Sequence, residues 1–142
     1  MPIREVKIDL DSQWSILFQK RLNTNYSSAP FYEYYADKLF SIVDRGHVFL
    51  FDLNIDLLHW CIDILNIEVE MKLTETYNRS YPESWNDQRN KMKPQFKLES
   101  DIAQVRYEQV FAEKHGFIPN LSIVDMIFCC GPESRSILSH SS

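Results

Sequence analysis

Asn120-Leu-Ser-Ile-Val-Asp-Met-Ile-Phe-Cys-Cys-Gly-Pro-Glu-Ser134 carries a nearly complete set of helix signals. Asn120 or Ser122 can accept a backbone N–H at a helix start, and Asp125, three residues after Ser122, stands where a capping-box acid would stand. Ile123, Val124, Ile127 and Phe128 then fall on one helical face, and Gly131-Pro132 stops the run. These residues predict a short, mostly buried helix that closes the C-terminal part of the domain.

Working outward from there, Gly116 ends a helix expected from Ser100 to Lys114, with Ile102, Val105, Gln109 and Phe111 in register. Before it, Thr74 to Gln95 is polar apart from Tyr77, Tyr81 and Trp85. That is long for a connection, and long connections in compact domains are often functional. A short helix from Trp85 to Met92, capped by Ser84, fits within it. Ile67 to Leu73 alternates strictly, which is the pattern of a strand. A helix capped by Asn54 precedes it, with Ile55, Leu58, Ile62 and Leu65 inward and Asn66 at its end. Val48-Phe-Leu-Phe51 reads as extended. Earlier still, Trp14, Phe18, Leu22 and Tyr26 form one helical stripe behind Ser12 as cap. Phe31, Tyr34, Tyr35, Leu39 and Ile42 form a second after Pro30, ending at Gly46. Arg4 to Leu10 alternates as a strand that needs a partner edge, from missing upstream sequence or from far along the chain.

The expected fold is therefore α+β, or a small α/β domain: helix-dominated, with a few strands, and one domain over 142 residues. A chain of this length buries roughly 70% of its unfolded surface, so it holds a core without staples. Ser139 to Ser142 read as a frayed tail.

With 15 basic and 20 acidic side chains, net charge −5, the chain lacks the basic balance that nonspecific nucleic-acid binding needs. Arg89, Lys91, Lys93 and Lys97 make a local positive run, read as a solvated face or an anion site. Cys61, Cys129 and Cys130 are odd in number, and the adjacent pair suits no disulfide. Reduced thiols in a cytoplasmic protein are expected. No CxxC pair or helical His pair marks a metal site, and three glycines are too few for a phosphate loop, so no metal and no cofactor is expected. No apolar run approaches the length of a membrane span. Asp125 reads as a general base or a helix cap. Arg89 has the planar fork that holds a carboxylate or phosphate, and it shares a face with Asp87 if the segment is extended. Tyr107 and Gln109 could contact a ligand or satisfy buried backbone.

Several motifs together resemble a known family. They are Pro2-Ile-Arg-x-Val-x-Ile-Asp9, Trp14 with Tyr26, Ala29-Pro30-Phe31, Tyr34-Tyr35 and Phe49-Leu-Phe-Asp-Leu-Asn54. Further on come Asp87-x-Arg89, Tyr107-x-Gln109-x-Phe111 and Phe117-Ile-Pro-Asn-Leu-Ser-Ile-Val-Asp125 with Phe128 and Gly131-Pro132. Over Pro2 to Leu138 the chain resembles the WbqC-like protein family of bacterial O-antigen (surface-polysaccharide) gene clusters. The chain departs from the family pattern at Phe18, where family members commonly carry His. It also begins at Met1 without the family's usual N-terminal segment, so it looks like the later part of a member.

The resemblance implies a transferase that moves a glycine or another aminoacyl group to an amino sugar in lipopolysaccharide synthesis. The residues it implies are Asp125 as base, with Tyr107 or Asn120 near the oxyanion. It also implies Arg89, Asp87, Gln109, Asn120 and Ser122 as substrate contacts, with Arg89 on a sugar-nucleotide phosphate. The alternative from another class is a non-catalytic binding or assembly module, or a truncated remnant, whose partner (a second copy of the chain) completes the sheet.

Overall fold

The structure is a computed structural model, and it describes residues 2–89 and 105–140. The chain separates into two compact units, one formed by residues 1–67 and 104–142 and the other by residues 68–103.

Six α-helices account for most of the first unit: α1 (Trp14–Tyr26), α2 (Tyr32–Val43), α3 (Leu50–Leu65), α4 (Ala112–His115), α5 (Ile123–Cys130) and α6 (Ser134–Ser139). Short 3-10 turns at Ile3–Glu5 and Gly131–Glu133 complete it. The helix-dominated expectation holds. The strands do not: among the described residues, β pairing reduces to one antiparallel bridge between Lys7 and Phe49. The N-terminal segment thus finds its edge far along its own chain. Ile8 donates its N–H to the Val48 carbonyl, and Leu50 donates to that of Val6, both at 2.9 Å. Ile67 to Leu73 has no ladder among the described residues, and Val69 and Leu73 are exposed. Alternation selects a face, but a strand also needs a neighbour.

The core of the first unit is Ala29, Tyr32, Ala36, Leu39 and Ile42 against Leu53, Trp60, Ile127 and Phe128. α2 buries Tyr32, Ala36, Leu39, Ile42 and Val43, so Leu39 and Ile42 of the predicted stripe face inward while Tyr34 is 78% exposed. α3 begins at Leu50, four residues before the expected cap. Phe49 is extended at φ −107° and ψ 137°, and Asn54 lies inside the helix. Of its predicted inward residues Leu65 is buried, Ile55 and Ile62 are half-buried and Leu58 is exposed, while Leu53, Leu57, Trp60 and Ile64 also pack on the core. Asn66 ends the helix as expected, in the left-handed region at φ 48°, which Asn tolerates. α1 carries its predicted stripe half-buried. Its cap position is Gln13, and the Ser12 hydroxyl instead donates to the Asp9 carbonyl at 2.8 Å.

α5 matches the expectation most closely. Ser122 Oγ accepts the Val124 N–H at 3.3 Å, and Ile127 and Phe128 are fully buried. The Phe128 ring meets Tyr32 edge-on at 5.1 Å and Tyr26 at 5.3 Å. The Phe128 carbonyl accepts the Phe31 N–H at 2.9 Å, tying α5 to the start of α2. The helix expected over Ser100–Lys114 shrinks to α4. Residues 105–109 are not helical, and Ser100 and Ile102 lie outside the described residues. Ser139 closes α6, and the last two residues of the expected frayed tail lie outside the described residues.

In the second unit, the described residues 68–89 hold a turn at Pro82–Trp85, where Trp85 donates its N–H to the Pro82 carbonyl at 2.9 Å. The Tyr81 and Trp85 rings stack at 4.9 Å. The expected helix from Trp85 to Met92 is absent through Arg89, and its remainder lies outside the described residues, as do Lys91, Lys93 and Lys97.

Gly131 should be the residue of α5's exit least tolerant of change. Its φ is +54°, and an added Cβ would stand 2.5 Å from the Phe31 ring. Gly131→Ala should lower unfolding free energy by ~2–4 kcal/mol, combining left-handed strain with overpacking. A denaturant midpoint unchanged from wild type would contradict this packing.

Candidate functional site

Asp125 lies in the first turn of α5 with 4% of its surface exposed. A buried carboxylate is costly unless donors replace the lost water. Here two tyrosines do so: Tyr26 donates its hydroxyl to Oδ2 at 2.8 Å, and Tyr107 donates to Oδ1 at 2.7 Å. Cys129, one turn further along α5, directs its Sγ at Oδ1 from 4.0 Å. Asp125 is therefore not the capping-box acid. Its carboxylate turns into the protein, and Ser122 caps the helix alone.

Each donor is placed by its own element. Tyr26 is the last residue of α1. Tyr107 belongs to an irregular segment held by Gln109, which is buried. The Gln109 amide donates to the Ile118 carbonyl and accepts the Ile118 N–H, both at 2.8 Å. This reciprocal pair does in a loop what a ladder rung does in a sheet. Phe117 then packs edge-on against Tyr107 at 5.7 Å, and Arg106 covers Phe117 at 5.5 Å.

The electrostatics keep the donors protonated. Burial and then the bond to Asp125 raise the Tyr26 phenol well above its usual range. Burial chiefly, with Asp125 adding to it, does the same for Tyr107. The Cys129 thiol is pushed up to about 11, by burial first and the Asp125 charge second. At neutral pH the cluster is a carboxylate facing neutral O–H and S–H groups, and Cys129 is no ready nucleophile.

The structure brings Asp125, Tyr107 and Gln109 into one neighbourhood through these bonds. Asn120 is exposed, with φ 59° in the loop leading to the Ser122 cap. Arg89 and Asp87 belong to the second unit. There Arg89 Nε and Nη2 grip the Asp87 carboxylate, with Nη2 at 2.6 Å, and Nη1 donates to the Asn78 carbonyl at 2.7 Å. The Tyr77 and Tyr81 rings lie under the guanidinium at 5.4 and 4.7 Å. The sharing of a face by Asp87 and Arg89 is as expected for an extended segment. The guanidinium fork is occupied by its own neighbours.

Tyr26 was legible only as a stripe residue, since nothing local marks a helix's last aromatic as a carboxylate donor. A second polar group was also missed. His47 Nε2 lies 2.8 Å from Asp56 Oδ2, which Arg45 Nη1 also reaches at 2.6 Å. Hydrogen bonding from His47, followed by that from Arg45, outweighs burial and holds the Asp56 carboxyl below its usual range. With α3 starting at Leu50, Asp56 lies beyond its first turn, where its carboxylate reaches back to His47 and Arg45.

The three raised acids give the sign of an alkaline transition. A raised folded-state pKa stabilises the protonated native form, so stability is complete below the unfolded value and lost as pH climbs beyond it. The loss should begin near the ordinary thiol value of 9.0 and steepen past the phenol value of 10.0. Urea midpoints across that range should fall, with a shallower fall above the phenol value in Tyr107→Phe. At neutral pH the same variant should cost ~1–3 kcal/mol, the range for a hydrogen bond to a buried charge. A flat profile would contradict the phenol–carboxylate assignment.

No curated protein and no solved structure matches the chain. The sequence model of the family described as WbqC-like protein family matches it over residues 1–93 and 88–137. Among the described residues no helix is long and apolar enough to cross a membrane, and none of the His, Cys, Asp and Glu groups clusters as a metal site would. The two matched stretches take in Asp125, both of its tyrosines and the Gln109 brace, and on that match the chain belongs to the WbqC-like protein family.

Proposed function

We propose that the Asp125–Tyr107–Tyr26 cluster handles a proton during transfer of a glycine or other aminoacyl group to the amine of an amino sugar. The observation that carries this reading is a single carboxylate, 4% exposed, taking hydroxyl protons from two tyrosines that are themselves only partly buried. Asp125 is too enclosed to meet a substrate directly. The partly buried tyrosines are the proposed link between it and a substrate.

In the transfer, the amine nitrogen forms a bond to the acyl carbon, and the bond to the donor's leaving group breaks with its electron pair. The amine must lose a proton. Tyr107 accepts that proton on its oxygen while passing its own to Asp125, so the carboxylate acts as base through a phenol. Once its own proton has passed to Asp125, the phenol carries the proton taken from the amine and can donate that one to an oxyanion, the second role the reaction needs. Gln109 keeps Tyr107 in place. Asn120 and Ser122, exposed at the start of α5, are the polar groups proposed to meet the sugar. Arg89 is proposed as a separate anion contact, at which a sugar-nucleotide phosphate replaces Asp87 on the guanidinium.

A second reading, a binding or assembly module without catalysis, is favoured by a different observation. Both Asp125 oxygens are already satisfied within the chain, as a purely structural tie would be. In that reading a second copy of the chain is a candidate partner, and the site is cytoplasmic in either case.

Mass spectrometry of an amino-sugar acceptor incubated with aminoacyl donors and the full chain separates the two. N-acylated product should form, and Asp125→Asn and Tyr107→Phe should each slow it by about 100-fold or more, the usual scale of general acid–base catalysis. Equal transfer by variants with native circular dichroism would remove the relay. Loss of stability without any transfer by the wild type would favour the module.

A further inference from the structure

Glu68-Val-Glu-Met-Lys-Leu73 opens the second unit with the alternation of a strand but without a strand's neighbour: none of its residues takes part in a β-bridge. Just before it, Ile67 donates its N–H to the Ile62 carbonyl at 3.1 Å, which finishes the turn out of α3. Within it, Lys72 Nζ lies 2.9 Å from Glu70 Oε1. Side chains two apart share a face when the chain is extended and point apart on a helix. One face is therefore Glu68, Glu70 and Lys72. The other is Val69, Met71 and Leu73, with Val69 58% and Leu73 56% exposed. An extended segment with an apolar face and unbridged backbone is a template for another strand.

The residues select that strand. Directly opposite residues of an antiparallel pair lie on the same face, so a copy of the segment can pair only in registers that set apolar on apolar and charge on charge. Centred on Met71, Met71 meets itself, Val69 meets Leu73, and Glu70 meets Lys72 on both sides of the axis. Centred on Glu70 or on Lys72, a charge meets its own like. Centred on Val69, Glu68 meets Glu70 twice, and centred on Leu73, Met71 meets Glu75. Parallel pairing in register sets every charge beside its like. Opposite charges across a pair stabilise it and like charges destabilise it, so a single register satisfies both faces.

We propose that this segment pairs antiparallel with the same segment of a second copy of the chain, about a two-fold axis at Met71. Cross-strand contact of Val69, Met71 and Leu73 supplies the attraction. The exposed Glu70–Lys72 pairs add little strength and set the register. The proposal gives a place to the second copy of the binding-module reading without resting on it. A catalytic chain can pair in the same way, so association and acyl transfer fail separately.

Sedimentation velocity of the full chain is the test. Mean mass should rise from monomer toward dimer between about 10 and 300 μM, the weak range for so small a contact. Glu70→Lys and Lys72→Glu should each weaken association about tenfold, because two opposed pairs become like charges. Both side chains are exposed, so these variants leave the fold intact. Repulsion between whole molecules of net charge −5 would instead make Glu70→Lys associate more tightly. The variant carrying both changes restores the opposed pairs and should return to within about threefold of wild type. Under copper-phenanthroline oxidation, Met71→Cys should form an interchain disulfide faster than wild type does with its native thiols, since it faces its own copy. Leu73→Cys should not, because its two copies stand about 13 Å apart along the strands. The proposal is overturned by a chain that stays monomeric over the whole range, which leaves the segment to a different partner. It is overturned equally by charge variants that follow net charge, by a double variant no tighter than the single ones, or by equal cross-linking at both cysteine positions.

Discussion

The Asp125 carboxylate is the constraint on which the first unit is arranged. Ionised carboxylates leave water only when enough donors meet them. The donors here come from the end of α1 and from the segment ahead of α4, so three stretches remote in sequence must arrive together. Removing either phenol leaves one acceptor unsatisfied in a nearly dry place. That asymmetry makes the bonds structurally consequential whatever chemistry they also perform.

Packing around α5 works with the same geometry. Phe128 lies one turn beyond Asp125, on the next step of the helix, and it presents its ring to Tyr26 and Tyr32. Tyr26 is therefore held twice: its ring by Phe128 and its hydroxyl by Asp125. An aromatic ring offers one apolar face and one polar tip, and this site uses both. The Phe128 carbonyl, near the helix's C-terminal end, would lack an intrahelical partner and instead takes the Phe31 N–H. Gly131 then lets the chain leave beside the Phe31 ring where no side chain fits.

Legibility in the sequence followed the range of the interactions. α5, its Ser122 cap and the Asn66 and Gly116 terminations are local, and the residue pattern announces them. The α3 start was missed because Asn54 is a good cap in isolation, while the actual start depends on Phe49 pairing with Lys7, a tertiary contact. The alternation of Ile67 to Leu73 signalled a strand, but whether a strand forms depends on a partner edge that the pattern does not contain. Asp125 and Tyr107 were singled out individually. Their direct bond joins α5 to the segment ahead of α4, and the part of Tyr26 joins α5 to the end of α1, neither of which any window of sequence reports. Gln109 was read as a ligand contact or a satisfier of buried backbone, and the bonds to Ile118 supply the second of these roles.

The two polar centres of the first unit differ in a way that separates their capacities. Around Asp125 the side chains bonded to the carboxylate are all donors, Tyr26, Tyr107 and Cys129, and burial holds all three in their protonated form. Around His47 the order is reversed. Asp56, already paired with Arg45, meets the His47 ring at Nε2, and Nδ1 is buried without a hydrogen-bond partner. A saturated donor shell suits proton relay through hydroxyls, because each bond can shift its hydrogen while the heavy atoms stay in place. One small helical unit thus holds both arrangements without requiring the same residues to serve twice.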